Sequence, residues 1–349
     1  MFGDYNINLF DEEILVLDRV EGEGMGSSIA VPLATLGAGY LATSLYFIRR
    51  PRARLEPRMR RVRLIAHRGG AAEGYENTLS AFRRAVRAGA DMLELDVQLT
   101  RDGRVVVAHD QNLLRLTGVS KNIRELQYQE LPTLKERVSI DFCPGETFCD
   151  NTVMEEERKI CLLDQVLQEF PTTQVNIDIK VPDPGLMEAV KRIIEEQKAE
   201  GRCVWGNFSS QTTEACYQAN PNIGLLFSAP RVLKLYLLFY SGLLPFVDLK
   251  ETHLEIPMPS IFLNEEYRAA HGNVGVARLS PWLYRLLDLL LMSPVLFRHL
   301  DQRGITVYLW TLNNEEQFNR AFQLGVHGVM TDRPSVLKSF LEKRINGVN

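Results

Sequence analysis

From residue 63 to the end of the chain, short apolar runs of β character alternate with stretches of helical periodicity. This alternation constrains the fold more than any other feature. The runs are "RLIAH" (63–67), "MLELDVQL" (92–99), "RVVVAHD" (104–110), "VNIDIK" (175–180), "CVWGNF" (203–208), "IGLLFS" (223–228), "LEIPMPSI" (254–261), "TVYLWTL" (306–312) and "GVMTD" (328–332). Between them lie amphipathic segments such as Thr78–Ala88, where Leu79, Phe82 and Val86 share a face, Asn77 precedes as N-cap and Gly89 follows. Repeated β-α alternation predicts a parallel sheet covered by helices. Its length points to a closed (β/α)8 TIM barrel over 64–342, in the α/β class. Nine runs exceed eight staves, so one is peripheral. "LEIPMPSI", with two prolines, is the first suspect. Residues 111–174 exceed a simple connection and predict a loop-rich insertion.

The ends are different in kind. Residues 1–28 are acidic, Ile29–Ile48 carries no charge, and Arg49–Arg63 holds eight arginines against one glutamate. Twenty uncharged residues are long enough for a bilayer core of roughly 30 Å. The expectation is an N-terminal transmembrane helix over 29–48, an Arg-rich linker over 49–63 and a tail over 343–349. A single-pass protein of the endoplasmic reticulum or another internal membrane follows, its catalytic domain cytoplasmic by the positive-inside rule. A buried core helix with a basic flank is the competing reading. The apolar stretches 233–247 and 281–297 read either as helices facing the core or as a surface resting on lipid. A net charge of −4 gives no general attraction to nucleic acid. Five scattered cysteines show neither disulfide nor zinc spacing, which favours a reducing compartment. Oligomeric state is not readable.

In "MLELDVQL" the alternation is inverted for an ordinary surface strand. Leu93, Leu95 and Val97 share one face; Glu94 and Asp96 share the other with Gln98. In a barrel the apolar face meets the helices, so both carboxylates enter the interior. Unpaired, they are costly there, and a cation between them removes the cost. "LIAHR" and "VVVAHD" each end on a histidine, His67 and His109, where barrels place catalytic groups. "VNIDIK" adds Asp178 and Lys180 on one face, and Arg68 follows His67. Hard oxygen donors without thiolates suit one divalent cation, Mg²⁺ or Ca²⁺. Two imidazoles serve as general acid and base, and Arg and Lys suit a phosphate. The set fits metal-assisted cleavage of a phosphodiester.

These motifs, with "WTLN" and "GVMTD.P", resemble the glycerophosphodiester phosphodiesterase family over about residues 64–340. The apolar N-terminal stretch, "GLLPF" and "EIPMPS" are similar to its membrane-anchored lysophospholipase D branch. The resemblance implies a TIM barrel with a small insertion. It implies His67 and His109 as acid/base pair, Glu94, Asp96 and Asp178 as metal ligands, Arg68 and Lys180 on phosphate, and Trp310 lining the substrate pocket. Many relatives have Glu where this chain has Asp178. The implied reaction is hydrolysis of lysophospholipids to lysophosphatidic acid and a head-group alcohol. The alternatives are water-soluble glycerophosphodiesters as substrate, or a catalytically silent lipid-binding barrel. Asn77 reads as a helix cap rather than a ligand, and Asp332 as a capping or turn residue. Trp310 could equally fill the barrel. Asn207 opens a glycosylation sequon beside a core strand, an unfavourable place for its use. His253, His271, His299 and His327 read as structural.

Overall fold

The computed structural model describes residues 25–49, 62–265, 267 and 279–347. The acidic stretch 1–24, the linker residues 50–61, His271 and the last two residues of the tail lie outside the described residues. The chain separates into two units, Met1–Leu45 and Tyr46–Asn349. The first contains most of a helix over Met25–Arg49. Among the described residues, no helix is long and apolar enough to cross a membrane. That overturns the single-pass expectation, and with it the placement in an internal membrane and the sidedness argued from the linker. The expectation rested on missing charge, which is a weaker property than apolarity. Eight of the twenty residues 29–48 are Pro, Gly, Ser, Thr or Tyr.

Among the described residues the second unit has eleven strands: β1 (Leu64–Ala66), β2 (Met92–Leu99), β3 (Val105–Val107), β4 (Val138–Ser139), β5 (Thr147–Phe148), β6 (Gln174–Ile179), β7 (Cys203–Gly206), β8 (Gly224–Leu225), β9 (His253–Pro257), β10 (Thr306–Trp310) and β11 (Gly328–Thr331). Eight of them run parallel in the order β8-β7-β6-β2-β1-β11-β10-β9. The two ends meet through a parallel bridge between Leu226 and His253, and Phe227 N donates to His253 O at 3.1 Å. The result is a nearly closed eight-stranded barrel.

The outward faces pack on helices. Leu93, Leu95, Val97, Ile177 and Ile179 join one apolar cluster with residues of helices Leu163–Glu169 and Pro184–Glu196. Leu254, Ile256, Val307 and Leu309 join another with Leu296, Phe297, Phe318 and Leu337. Inside the barrel, Ile65, Met92, Val204, Leu226, Tyr308 and Met330 form a smaller apolar cluster. Such an inner layer is a packed floor rather than a pore. The polar inward residues stand above it.

Two strand expectations change. "LEIPMPSI" is not peripheral, because β9 is a barrel stave paired with β10 from Thr306↔His253 to Trp310↔Pro257. Its prolines do no harm: Pro257 closes the strand and Pro259 begins a 3-10 turn. The extra strand is β3, which pairs antiparallel with the far end of β2 (Val97↔Val107, Leu99↔Val105). β2 therefore continues past its pairing with β6, which ends at Val97, and β3 returns toward the mouth. The segment after β3 holds a short helix Leu114–Thr117, 3-10 turns and the β4–β5 hairpin, before helix Leu163–Glu169 leads into β6.

Candidate active site

β1 ends at Ala66, and His67, Arg68 and Gly69 form a 3-10 turn. Arg68 sits at φ 49, Gly69 at φ 81 and Gly70 at φ 90. A side chain in this left-handed region costs about 1–2 kcal/mol. Arg68 is held there because its backbone N donates to Glu94 Oε2 at 2.8 Å. The glycines serve packing as well as turning. A Cβ on Gly69 would lie 2.9 Å from Phe82, and one on Gly70 2.7 Å from Pro334. The crowding at both glycines is with neighbouring side chains.

His67 is buried, and its Nδ1 lies 2.7 Å from Asp332 Oδ1. Burial lowers its pKa, but Asp332 outweighs this and leaves it above the ordinary histidine value. Asp332 is itself set by Asn313, whose Nδ2 donates to Oδ2 at 3.1 Å while its Oδ1 accepts from Asp332 N at 2.8 Å. Asp332 is thus the orienting partner of His67, not a turn residue.

His109 follows β3. It reaches the mouth from the return strand rather than from the end of a stave. Its Nδ1 lies 2.6 Å from Asp110 Oδ1, and Asp110 Oδ2 accepts from Arg115 Nε at 2.6 Å. Burial would raise Asp110, but its bonds to His109 and Arg115 prevail and hold it well below the carboxylate range. Arg115 also forks onto Glu76, with Nη1 on Oε2 at 2.8 Å and Nη2 on Oε1 at 2.7 Å. Glu76 is buried and accepts from Arg68 Nη1 at 3.1 Å. One carboxylate therefore connects the surroundings of both histidines. Asp141, in the loop of the β4–β5 hairpin, joins them by accepting from Arg68 Nη1 at 2.8 Å.

Glu94 and Asp96 both enter the mouth. Burial, then the Asp96 charge, pushes the Glu94 carboxyl up to about 7. Burial also acts to raise Asp96, but Lys180, then Arg68, overcome it and hold Asp96 well below its usual range. Lys180 Nζ lies 2.8 Å from Asp96 Oδ1 and 2.7 Å from Asp178 Oδ2. The other Asp178 oxygen accepts from Asn207 Nδ2 at 3.0 Å. Among the described residues, no group of three or more His, Cys, Asp or Glu side chains is arranged to hold a metal ion. Glu94, Asp96 and Asp178 share the mouth, but Lys180 stands between the last two. Two buried amide oxygens, Oδ1 of Asn77 and of Asn176, have no hydrogen-bond donor. Acceptors without donors beside carboxylates suit a hard cation.

Asn77 is not the helix cap. Thr78 is, accepting from Ala81 N, while Asn77 at φ 59 donates to Asp96 Oδ2 at 2.9 Å. Glu255 is a further missed residue. It faces inward from β9, accepts from Asn176 Nδ2 at 2.7 Å, and burial pushes its carboxyl up to about 8. Its signal was present: Leu254-Glu255-Ile256 has the same inverted alternation as β2. Trp310 is half-buried and packs edge-on against Phe142 (5.9 Å) and Phe208 (6.0 Å), and Phe142 in turn meets the His67 ring at 5.3 Å. A cavity of about 470 Å³ is lined by Arg68, His109, Asp141 and Phe142 among others. His253, His299 and His327 bond elsewhere, to Thr252, the Ile48 carbonyl and Asp301.

The chain is 44% identical over 316 residues to human lysophospholipase D GDPD1, covering 88% of this chain and 96% of that protein. It is 37% identical over 317 residues to mouse lysophospholipase D GDPD3, covering 89% and 92%. The fold is shared with a glycerophosphodiester phosphodiesterase from Thermotoga maritima (TM-score 0.53, 23% identity, 80% of this chain and 99% of that one). It is also shared with an Oleispira antarctica phosphodiesterase solved with the product sn-glycerol-3-phosphate (TM-score 0.52, 18% identity, 80% and 96%). Residues 67–336 match the Glycerophosphoryl diester phosphodiesterase family, and the chain belongs to that family.

Proposed function

We propose that the chain hydrolyses the phosphodiester of lysophospholipids, giving lysophosphatidic acid and a head-group alcohol. The observation that carries the reading is the pair of carboxylate-oriented imidazoles, His67–Asp332 and His109–Asp110, bound to one network through Arg68, Glu76 and Arg115. In each, the carboxylate holds Nδ1 and leaves Nε2 for proton transfer. One imidazole takes the proton of the glycerol hydroxyl next to the phosphate. The oxygen closes on phosphorus, and the bond to the head-group oxygen breaks as the other imidazole protonates that oxygen. Water then opens the cyclic phosphate with the proton roles reversed. Arg68 and Lys180 meet the phosphate oxygens. The oxygens of Glu94 and Asp96, with Asp178 at the edge and Asn77 Oδ1 beside Asp96, would hold a divalent cation, Mg²⁺ or Ca²⁺. When bound, such a cation supplies charge stabilisation at the phosphoryl oxygens. Trp310, Phe142 and Phe208 form an apolar rim for the substrate.

A lipid substrate needs contact with a lipid surface. Leu233, Leu237 and Tyr240 are exposed on helix Ala229–Tyr240, and Trp282, Leu286 and Leu289 on helix Pro281–Leu291. Tyr240 Oη ties the two by donating to Leu290 O at 2.6 Å. Lys234 and Arg285, both exposed, suit anionic head groups. This face rests on the surface without crossing it.

The test is choline release from lysophosphatidylcholine and from glycerophosphocholine, with and without EDTA. Metal-dependent release from the first is expected, and His109→Ala abolishes it. Release from glycerophosphocholine alone moves the substrate to the water-soluble class. No release from either sinks the reading and leaves a silent barrel.

A further inference from the structure

The Arg68 guanidinium already holds an anion on its cavity side. Its Nη1 donates to Asp141 Oδ2 at 2.8 Å. Asp141 also faces Arg115, with Oδ1 at 3.7 Å from Nη1. Burial acts to raise the Asp141 carboxyl, but Arg68, then Arg115, hold it below its usual range, so it is charged. Arg68 and Asp141 both line the cavity of about 470 Å³. They are not equally open to it: the Arg68 side chain is 4% exposed and that of Asp141 28%. The carboxylate thus lies on the solvent side of the guanidinium. A phosphate that reaches Nη1 from this cavity takes the place of Asp141.

The loop that carries Asp141 is held independently of Arg68. Within it, Cys143 N donates to Ile140 O at 3.3 Å and Glu146 N to Cys143 O at 3.0 Å. The residue after Asp141 is pinned to the barrel. Asn313 Nδ2 donates to the Phe142 carbonyl at 3.2 Å, and the Phe142 ring meets the His67 ring edge-on. A phosphate arriving at Arg68 therefore breaks the bond to Asp141 and leaves the loop seated. The carboxylate stays in the cavity with one cation fewer, which is costly until another cation replaces it. In a choline or ethanolamine ester the ammonium follows the phosphate after an ethylene link. One ligand then offers an anion to Arg68 and a cation to Asp141.

We propose that Asp141 selects zwitterionic head groups, exchanging its ion pair with Arg68 for one with the head-group ammonium while the phosphate takes Arg68. The proposal rests on the phosphodiesterase reading and deepens it by naming the residue that reads the head group. A glycerol ester brings no cation and leaves Asp141 facing the phosphate, a like charge, so it is disfavoured.

The test compares lysophosphatidylcholine with lysophosphatidylglycerol in the same detergent micelles, reading the lysophosphatidic acid formed from each. The proteins are the unsubstituted full chain, Asp141→Asn, Asp141→Glu and Glu146→Gln. Glu146 lines the same cavity from the same loop but pairs with Arg333, so Glu146→Gln removes a charge without touching Arg68. The expected result in Asp141→Asn is a fall of about tenfold or more in the choline-to-glycerol ratio of kcat/KM. Asp141→Glu recovers part of it, and Glu146→Gln leaves the ratio in place. Both substrates are read on one preparation, so a partly unfolded variant does not alter the ratio. An unchanged ratio in Asp141→Asn, or an equal fall in Glu146→Gln, overturns the proposal. Calorimetric titration with phosphocholine and with glycerol 3-phosphate separates this from the reading beneath it. Turnover of both lipids with an Asp141-insensitive ratio removes this proposal alone. No turnover of either, with a preference for phosphocholine that Asp141→Asn abolishes, removes the phosphodiesterase reading and leaves the head-group site. No turnover and no Asp141-dependent binding overturns both.

Discussion

The Asp332 carboxylate lies 2.7 Å from Nδ1 of His67, although 265 residues separate them. The bond closes across adjacent staves, since β1 pairs with β11 from Leu64↔Val329 to Ala66↔Thr331. Asp332→Asn keeps the size but removes the charge that favours the imidazolium. The expected outcome is a fall in kcat of about 10²–10⁴ with little change in KM, because acid–base assistance is lost while substrate contacts remain. Choline release followed across pH checks it. A merely structural Asp332 would leave the pH profile in place.

Glu76 receives both Arg68 and Arg115 while fully buried. Glu76→Gln leaves two guanidinium groups short of a counter-charge. Removing one partner of a buried pair costs about 3–5 kcal/mol, so the midpoint of urea unfolding falls clearly. Glu76→Asp, which restores the charge at shorter reach, recovers part of the loss.

Gly70 has φ 90 and would place a Cβ 2.7 Å from Pro334. Gly70→Ala combines left-handed strain with a clash against a ring that cannot swing away. A destabilisation of about 2–4 kcal/mol is expected. Gly103, also at positive φ (75) but with nothing within 4 Å, gives the strain alone when changed to Ala. Thermal melting of the two variants separates the contributions.

Much of the site was readable because an inverted pattern is a local signal. Glu94 and Asp96 declare their inward direction by their apolar neighbours, and the structure places both in the mouth. Glu255 carries the same signal between Leu254 and Ile256, but prolines two and four residues on caused the strand to be discounted. Asp332 was not readable as a partner of His67, because nothing local distinguishes an orienting carboxylate from a capping one. Asn77 and Thr78 are both good caps by type, and the choice between them depends on the positive φ of Asn77. The Ile29–Ile48 stretch differs for another reason: it lacks charge, yet its Pro, Gly, Ser, Thr and Tyr residues keep it from being apolar enough to cross a membrane. The peripheral strand escaped because β3 is as apolar as a stave. Direction relative to a neighbour has no one-dimensional signature.

His253 offers a pH test away from the reaction. It lies at the seam where β8 meets β9, and burial pushes its pKa down to about 3. The folded value is below the unfolded one of about 6.5, so its stabilising contribution is complete above pH 6.5 and is lost as pH falls toward 3. About 2 kcal/mol disappears between pH 6.5 and 5. His253→Gln removes this dependence, and its melting temperature declines less over that interval than that of the unsubstituted chain. Equal declines would show that the seam histidine does not titrate.

The return of β3 along β2 gives the site an adjustable caliper. His67 is fixed to the barrel wall, whereas His109 stands at the end of a three-residue strand whose depth is set by the pairing Val97↔Val107 and Leu99↔Val105. Shifting that pairing by two residues preserves which faces are buried, yet carries His109 about 7 Å along the neighbouring strand. The span between the two imidazoles is thus controlled by the length of the turn at Asp102-Gly103, outside the barrel. A lineage could fit substrates of different bulk by trimming or lengthening one exposed turn, leaving every stave untouched.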